Sequence, residues 1–132
     1  MNWRIIALAG CGVLGLGACG APASETKAVA AGAQGFETAV MNGRGAEACA
    51  RLAPGTADEV AKSSGSPCAR SIVSVPLRGG EVSSVAVYGL QAEVVLSRDT
   101  VFLSRFEDGW RVIAAGCTPQ QGKPFDCLVK GS

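Results

Sequence analysis

The stretch TVFLSRFEDGWRVIAA, residues 100–115, decides the fold of this 132-residue chain. Two runs in which apolar side chains recur at alternate positions, 100–106 and 110–115, flank the dipeptide Asp108-Gly109. That dipeptide favours a tight turn, because the turns that join antiparallel strands need a positive φ, which Asp and especially Gly tolerate. The stretch therefore predicts a β-hairpin, and the rest of a sheet can be placed around it.

Further strand patterns lie on both sides of the hairpin. We expect strands at residues 72–77, 82–87 and 92–96 before it, and a last short strand near residues 126–130. Pro76 weakens the first of these, since proline cannot donate to a strand ladder. These strands follow one another along the chain, so the sequence predicts an antiparallel meander.

The part of the chain before the strands has helical spacing. The apolar residues of this part fall at steps of four, three and four, which places them on one face of a helix that begins near Ser24 or Glu25: Val29, Ala33, Phe36 and Val40. We expect Gly43 and Gly45 to end this helix. The fold class that follows is α+β, with N-terminal helices packed on one face of the antiparallel sheet.

Two shorter helices are expected next. One covers residues 46–53, with Cys49 and Leu52 pointing inward, and Pro54 is expected to end it. The sequence Thr56-Ala-Asp-Glu59 fits a capping box, in which Thr and Glu side chains satisfy free N–H groups at a helix start. It therefore predicts the start of a third, brief helix around Val60.

The first residues have the pattern of a bacterial lipoprotein signal. Arg4 precedes an apolar run from Ile5 to Leu16, which is shorter than the roughly 20 residues of a membrane-spanning helix and fits a secretory signal. Leu16-Gly-Ala-Cys19 matches a lipobox, whose cysteine thiol receives a diacylglycerol. We expect a signal peptide at residues 1–18, a lipidated tether at 19–27 and one domain at 28–132, anchored to the outer face of the cell membrane. The alternative is an ordinary cleaved signal followed by a coincidental Cys19.

The charge balance narrows the partners. The chain has 12 Lys and Arg, of which Arg4 lies in the expected signal, against 11 Asp and Glu. A nucleic-acid surface needs a basic excess, so we expect no nucleic-acid partner. We also expect membrane contact through the lipid anchor rather than through a polybasic patch. The ligand or protein partner stays open.

Four cysteines remain for the domain: Cys49, Cys68, Cys117 and Cys127. An even number of cysteines in a small exported domain indicates disulfides. Zinc is the alternative, but no C-x-x-C spacing occurs and the chain has no His, so we expect no metal. Four cysteines allow three pairings, and we favour Cys49–Cys68 with Cys117–Cys127.

The residue types leave little room for catalysis. Without His there is no side chain that titrates near neutral pH when unperturbed, and the thiols are expected to be oxidised. Carboxylates remain, and a deep cavity that held two of them within hydrogen-bonding reach would favour an enzyme. The candidates are Glu81, Glu93, Asp99, Glu107 and Asp126. We expect no catalytic residue and no cofactor.

The aromatic residues are few, and most of them are expected in the core. Phe102 and Phe106 share one face of their strand. Tyr88 and Trp110 have polar tips on apolar rings, so these two could line the mouth of a pocket.

The sequence shows two resemblances to known proteins. Most of the expected mature chain resembles small lipoproteins of high-GC Gram-positive bacteria for which no activity is established. The resemblance lies in residues 99–119 and 125–127 and, upstream, in residues 48–54 and 67–69. Gly109-Trp-Arg-Val112 is also similar to the last strands of nuclear-transport-factor-two-like domains. The second resemblance implies helices packed into a strongly curved sheet that forms a cone with a cavity. Such cones include enzymes, ligand binders and interaction modules, so fold alone assigns no activity.

The sequence thus predicts a lipid-anchored extracytoplasmic binding or interaction module that is not an enzyme. Two alternatives stay open. One is a small cone-fold enzyme that uses cavity carboxylates, and the other is a purely structural envelope lipoprotein.

Overall fold

The computed structural model describes residues 20–131, so the expected signal and Cys19 lie outside the described residues. The helices come first and a five-stranded antiparallel sheet follows, which confirms the α+β class. The helices are α1 (Ala23–Met41), α2 (Gly45–Arg51), α3 (Pro54–Ser64), α4 (Cys68–Ser71) and a 3₁₀ turn (Ile72–Ser74). The strands are β1 (Val82–Tyr88), β2 (Gln91–Leu96), β3 (Thr100–Phe106), β4 (Gly109–Gln120) and β5 (Lys123–Lys130).

Helix α1 is the central helix, and its buried face follows the predicted spacing. Val29, Ala33, Phe36 and Val40 are all buried. The helix ends at Met41, and Gly43 follows with a φ of 72°, a conformation that glycine adopts without steric cost. It begins at Ala23, so the second half of the segment expected as a tether is helical.

Helix α3 differs from its prediction at its first turn. Pro54 is the first residue of α3 as well as a stop for α2, because proline lacks only an N–H that the first turn leaves free in any case. The capping-box prediction is wrong, since no side chain caps this helix. The Thr56 hydroxyl instead donates to the carbonyl oxygen of Ile113 in β4, at 3.2 Å, and is buried there.

The predicted strand at residues 72–77 is wrong. The 3₁₀ turn (Ile72–Ser74) occupies the first half of this range, residues 75–77 form no strand, and Ile72 is fully buried against the helices. A disulfide holds Cys68 next to α2, which fixes the start of this segment on the helical layer. Packing therefore overrides the β-branched composition that suggested a strand.

The sheet is a meander with strand order β1-β2-β3-β4-β5. The predicted hairpin is confirmed: Phe106 pairs with Gly109 and Arg105 with Trp110. Strand β4 is longer than predicted, because it continues through Gly116, whose φ of 64° is open to glycine. Strand β5 then begins at Lys123, earlier than predicted.

The core lies between α1 and one face of the sheet, and β3 presents Val101 and Leu103 to it. Phe102 and Phe106 share the opposite face, so the expectation that they belong to the core is wrong for Phe106, which is 40% exposed. Phe102 packs edge-on against Phe125, with ring centroids 5.1 Å apart. Both faces of β3 have apolar residues, so the alternation alone could not choose the buried one.

The favoured disulfide pairing is confirmed. Cys49–Cys68 joins α2 to α4, and Cys117–Cys127 joins directly opposite residues of β4 and β5. Disulfides persist in oxidising compartments, which places the domain outside the cytoplasm. Within residues 20–131, no helix is long and apolar enough to cross a membrane.

Candidate functional site

A cleft of about 490 Å³ opens beside the C-terminal half of α1. Its walls come from α1, from α2 and from the segment that enters β1. We call it the α1–α2 cleft and define it by six residues: Gln34, Glu37, Arg44, Glu47, Arg51 and Gly79. Most of these side chains are polar or charged, although the helices around them face an apolar core.

Glu37 is the most unusual of these residues, because it is 2% exposed and neither of its carboxyl oxygens has a hydrogen-bond partner. Its position follows from helical spacing: residue 37 lies four residues after Ala33 and three before Val40, which are both buried. A buried polar group without a partner costs roughly 1–3 kcal/mol of stability. Sequence reasoning missed Glu37, although this spacing would have found it.

The surroundings of Glu37 favour its protonated form. Burial, and next the nearby carboxylate of Asp99, raise the pKa of Glu37 from 4.5 to about 8. The backbone N–H of Gly79 approaches the carboxyl group without the geometry of a full hydrogen bond, and it lowers the pKa less than burial and Asp99 raise it. Glu37 is therefore mostly a neutral carboxylic acid at pH 7, able to donate as well as accept a hydrogen bond.

Asp99 reaches Glu37 from the turn between β2 and β3. Its Oδ1 accepts a hydrogen bond from the N–H of Thr100 at 2.9 Å, and its Oδ2 accepts one from the N–H of Arg78 at 3.5 Å. These contacts join the β2–β3 turn to the segment before β1. They hold the Asp99 carboxylate beside α1.

Glycines allow that segment to lie close to α1. Gly79 has a φ of 61°, and a Cβ atom there would lie 2.8 Å from Sδ of Met41 and 3.8 Å from Oε2 of Glu37. Gly80 has a φ of 111°, and its Cβ would lie 2.1 Å from Oγ of Ser97. Larger residues would force the segment away from α1 and from the β2–β3 turn, and the cleft would change shape.

Two arginines of the cleft share one carboxylate. Glu47 Oε2 lies 3.2 Å from Nε of Arg44, and Glu47 Oε1 lies 3.5 Å from Nη2 of Arg51. The Nε atom of Arg51 is buried without a hydrogen-bond partner. The guanidinium lies against the backbone of Gly35, where a Cβ would come within 2.5 Å of Nη1. With Glu37 neutral, these groups leave the cleft one net positive charge.

The predicted pocket residues lie at the other end of the sheet. Tyr88 ends β1 and is 70% exposed. Trp110, the second residue of β4, is half-buried in a shallow depression beside Pro22, Glu25 and Arg105. Strands β2 and β3 separate the two rings, and Tyr88 is not among the residues that line the depression of Trp110. The structure does not bring them into one site.

Of the five carboxylates considered from the sequence, Asp99 is the one that acts on the buried acid. Glu81, Glu107 and Asp126 are exposed, and Glu93 is half-buried opposite Phe102. The structure therefore pairs one expected carboxylate with one that was not expected. Over the described range, no group of three or more His, Cys, Asp or Glu side chains could hold a metal ion.

Comparisons with protein-family models, with curated proteins and with solved structures give no match to this chain.

Proposed function

We propose that this protein is a lipid-anchored extracytoplasmic binding module and that the α1–α2 cleft is its ligand site. The observation that supports the site concerns buried polar atoms. Within the described part of the chain, three buried side-chain atoms have no hydrogen-bond partner: Oε1 and Oε2 of Glu37 and Nε of Arg51. Both residues line the same cleft.

Such a coincidence is typical of a site built for a ligand. Folded proteins pair almost all of their buried polar groups, so unpaired ones need a reason. A polar ligand in the cleft, with a small rearrangement of the side chains, would supply the missing partners. Protonated Glu37 offers a donor and an acceptor, and the guanidinium of Arg51 offers donors only. A small molecule with an oxyanion or carbonyl group next to a hydroxyl or amine matches this set.

A titration followed by NMR tests the site. The probes are acetate, lactate, glycine and inorganic phosphate, added to ¹⁵N-labelled protein. We expect shifts at the amides of Gly35 and Gly79, and we expect Arg51→Met to weaken binding at least about tenfold, the scale of one lost charged hydrogen bond. Arg70→Met, an exposed arginine of α4 outside the cleft, is the matched control. Shifts that survive Arg51→Met unchanged, or that map elsewhere, would contradict the proposal.

Glu37 also supports a second candidate, a small hydrolytic enzyme. A carboxyl group with a pKa of about 8 beside a second carboxylate is an arrangement that enzymes use for acid–base catalysis. The test is hydrolysis of chromogenic esters and glycosides by the protein and by Glu37→Gln. Turnover that Glu37→Gln abolishes favours the enzyme. Turnover in neither protein, with a ligand bound in the cleft, favours the binding module.

The lipobox that ends at Cys19 supports the lipid anchor, and the two disulfides fit a domain in an oxidising compartment. Mass spectrometry of the membrane-extracted protein tests it. We expect a mature N-terminus at Cys19 that is modified by diacylglycerol, and Cys19→Ala should release the chain or leave it unprocessed. An unmodified N-terminus downstream of Cys19 contradicts the anchor.

A further inference from the structure

Apolar side chains are exposed at the end of the molecule where α1 begins. The β1–β2 turn presents Tyr88, 70% exposed, and Leu90, 66% exposed. The β3–β4 hairpin presents Phe106, 40% exposed, on one face of the sheet and the half-buried Trp110, which pairs with Arg105, on the other face. We call these four residues the tip cluster.

Three contacts show that the tip cluster and the start of α1 share one end of the molecule. The N–H of Arg105 donates to the carbonyl oxygen of Leu90 at 2.8 Å, which joins the two turns. The Arg105 guanidinium forms an ion pair with Glu25 in the first turn of α1. Trp110 lies in a depression that Pro22 also lines.

We propose that the tip cluster lies on the surface of the lipid bilayer and turns the α1–α2 cleft away from it. This inference rests on the anchor proposed above. Ala23 follows Cys19 by four residues, and a fully extended chain of that length spans at most about 14 Å. A lipid on Cys19 therefore holds the start of α1, and the tip cluster beside it, next to the bilayer.

The chemistry of the tip cluster suits that surface. Tyr and Trp concentrate at membrane–water interfaces, where the ring is apolar and its polar tip stays hydrated, and Leu and Phe insert further. Two nearby cations are already neutralised, Arg105 by Glu25 and Arg111 by Asp108. Glu107 is exposed at the turn and stays among the headgroups, so apolar contact rather than charge provides the attraction.

The cleft lies at the opposite end. Glu37 follows Ala23 by fourteen helical residues, a rise of about 21 Å along α1. Asp99, whose carboxylate raises the pKa of Glu37, lies in the β2–β3 turn, at the other end of the strands from the tip cluster. A chain that rests on its tip cluster therefore opens the cleft toward the aqueous side.

The two ends of β2 provide matched reporters for a test. Leu90 and Arg98 are both exposed turn residues, separated by the length of β2. Leu90→Trp and Arg98→Trp are each combined with Trp110→Phe. Since Trp3 lies in the expected signal, the mature chain then has one tryptophan. The lipidated proteins are reconstituted in vesicles of equal parts phosphatidylcholine and phosphatidylglycerol with brominated acyl chains.

We expect brominated lipid to quench roughly half of the fluorescence at position 90 and little at position 98, because interfacial side chains reach the headgroup–acyl boundary. Equal quenching at both positions, or none at position 90 in protein shown by mass spectrometry to be lipidated, overturns the inference and leaves the anchor intact. No quenching at position 90 is the result expected if the tip cluster binds a protein partner instead of the bilayer. An exported chain that mass spectrometry shows to carry no lipid on Cys19 contradicts the anchor and this inference together.

Discussion

At the C-terminal end of α1, the acid Glu37 is buried without a partner, whereas at the N-terminal end apolar rings such as Tyr88 are exposed to solvent. Acidic side chains are usually exposed and large apolar side chains are usually buried, so each end reverses the usual placement. A buried unpaired acid lowers stability and is sensitive to pH, while an exposed apolar cluster alters stability little. The difference indicates that the first end is specialised for chemistry inside the fold and the second for contact outside it.

The largest expected effect comes from Glu37. Its pKa is raised on folding, so its favourable contribution is complete below pH 4.5 and is lost as pH rises through about 8. The loss amounts to as much as about 5 kcal/mol, at 1.4 kcal/mol per tenfold change in the proton-binding constant. We expect Glu37→Gln to match the wild type near pH 4.5 and to be more stable above pH 8.

Urea denaturation at pH 4.5, 7 and 9 measures this effect. Glu107→Gln, which changes an exposed acid in the β3–β4 turn, is the control and should follow the wild type at every pH. If the free energy of unfolding changes with pH in the same way for Glu37→Gln and the wild type, the pKa of Glu37 is not raised in the folded protein.

The disulfides give the next effect and separate the helical layer from the sheet. Cys49–Cys68 closes a loop of 19 residues between two helices, and its loss should cost about 3 kcal/mol in the chain-entropy model. Cys117–Cys127 spans 10 residues and joins strands that are already paired, so its loss should cost less. Unfolding of the two double Cys→Ser variants tests the order. A larger cost for the β4–β5 bond would mean that this hairpin depends on its covalent link.

The smallest effect on stability is expected at the end of the molecule that holds the tip cluster and the start of α1. Arg105 and Glu25 form an ion pair in which the arginine side chain is half exposed, and exposed pairs contribute roughly 0.2–1 kcal/mol. Arg105→Ala should therefore lower stability by less than 1 kcal/mol in low salt, and by less in high salt. A loss well above that value would show that the first turn of α1 is fixed as firmly as the cleft.

Local patterns determined much of the fold. The helical spacing of Val29, Ala33, Phe36 and Val40 placed α1, and Asp108-Gly109 placed the central hairpin, because both signals depend on backbone geometry within a few residues. The structure also confirms the favoured disulfide pairing. The tether and the anchor on Cys19 stay predictions, since they concern the segment before the described residues.

Only the tertiary structure decided the cleft. Position 37 could be assigned to the buried face of α1 from its spacing, but the carboxylate that raises its pKa comes from Asp99, sixty-two residues later. The same holds for residues 72–74, where a β-branched sequence forms a 3₁₀ turn that packs against α1 and α2. Contacts between distant parts of the chain depend on how the helices pack on the sheet. Local residue patterns do not specify that packing.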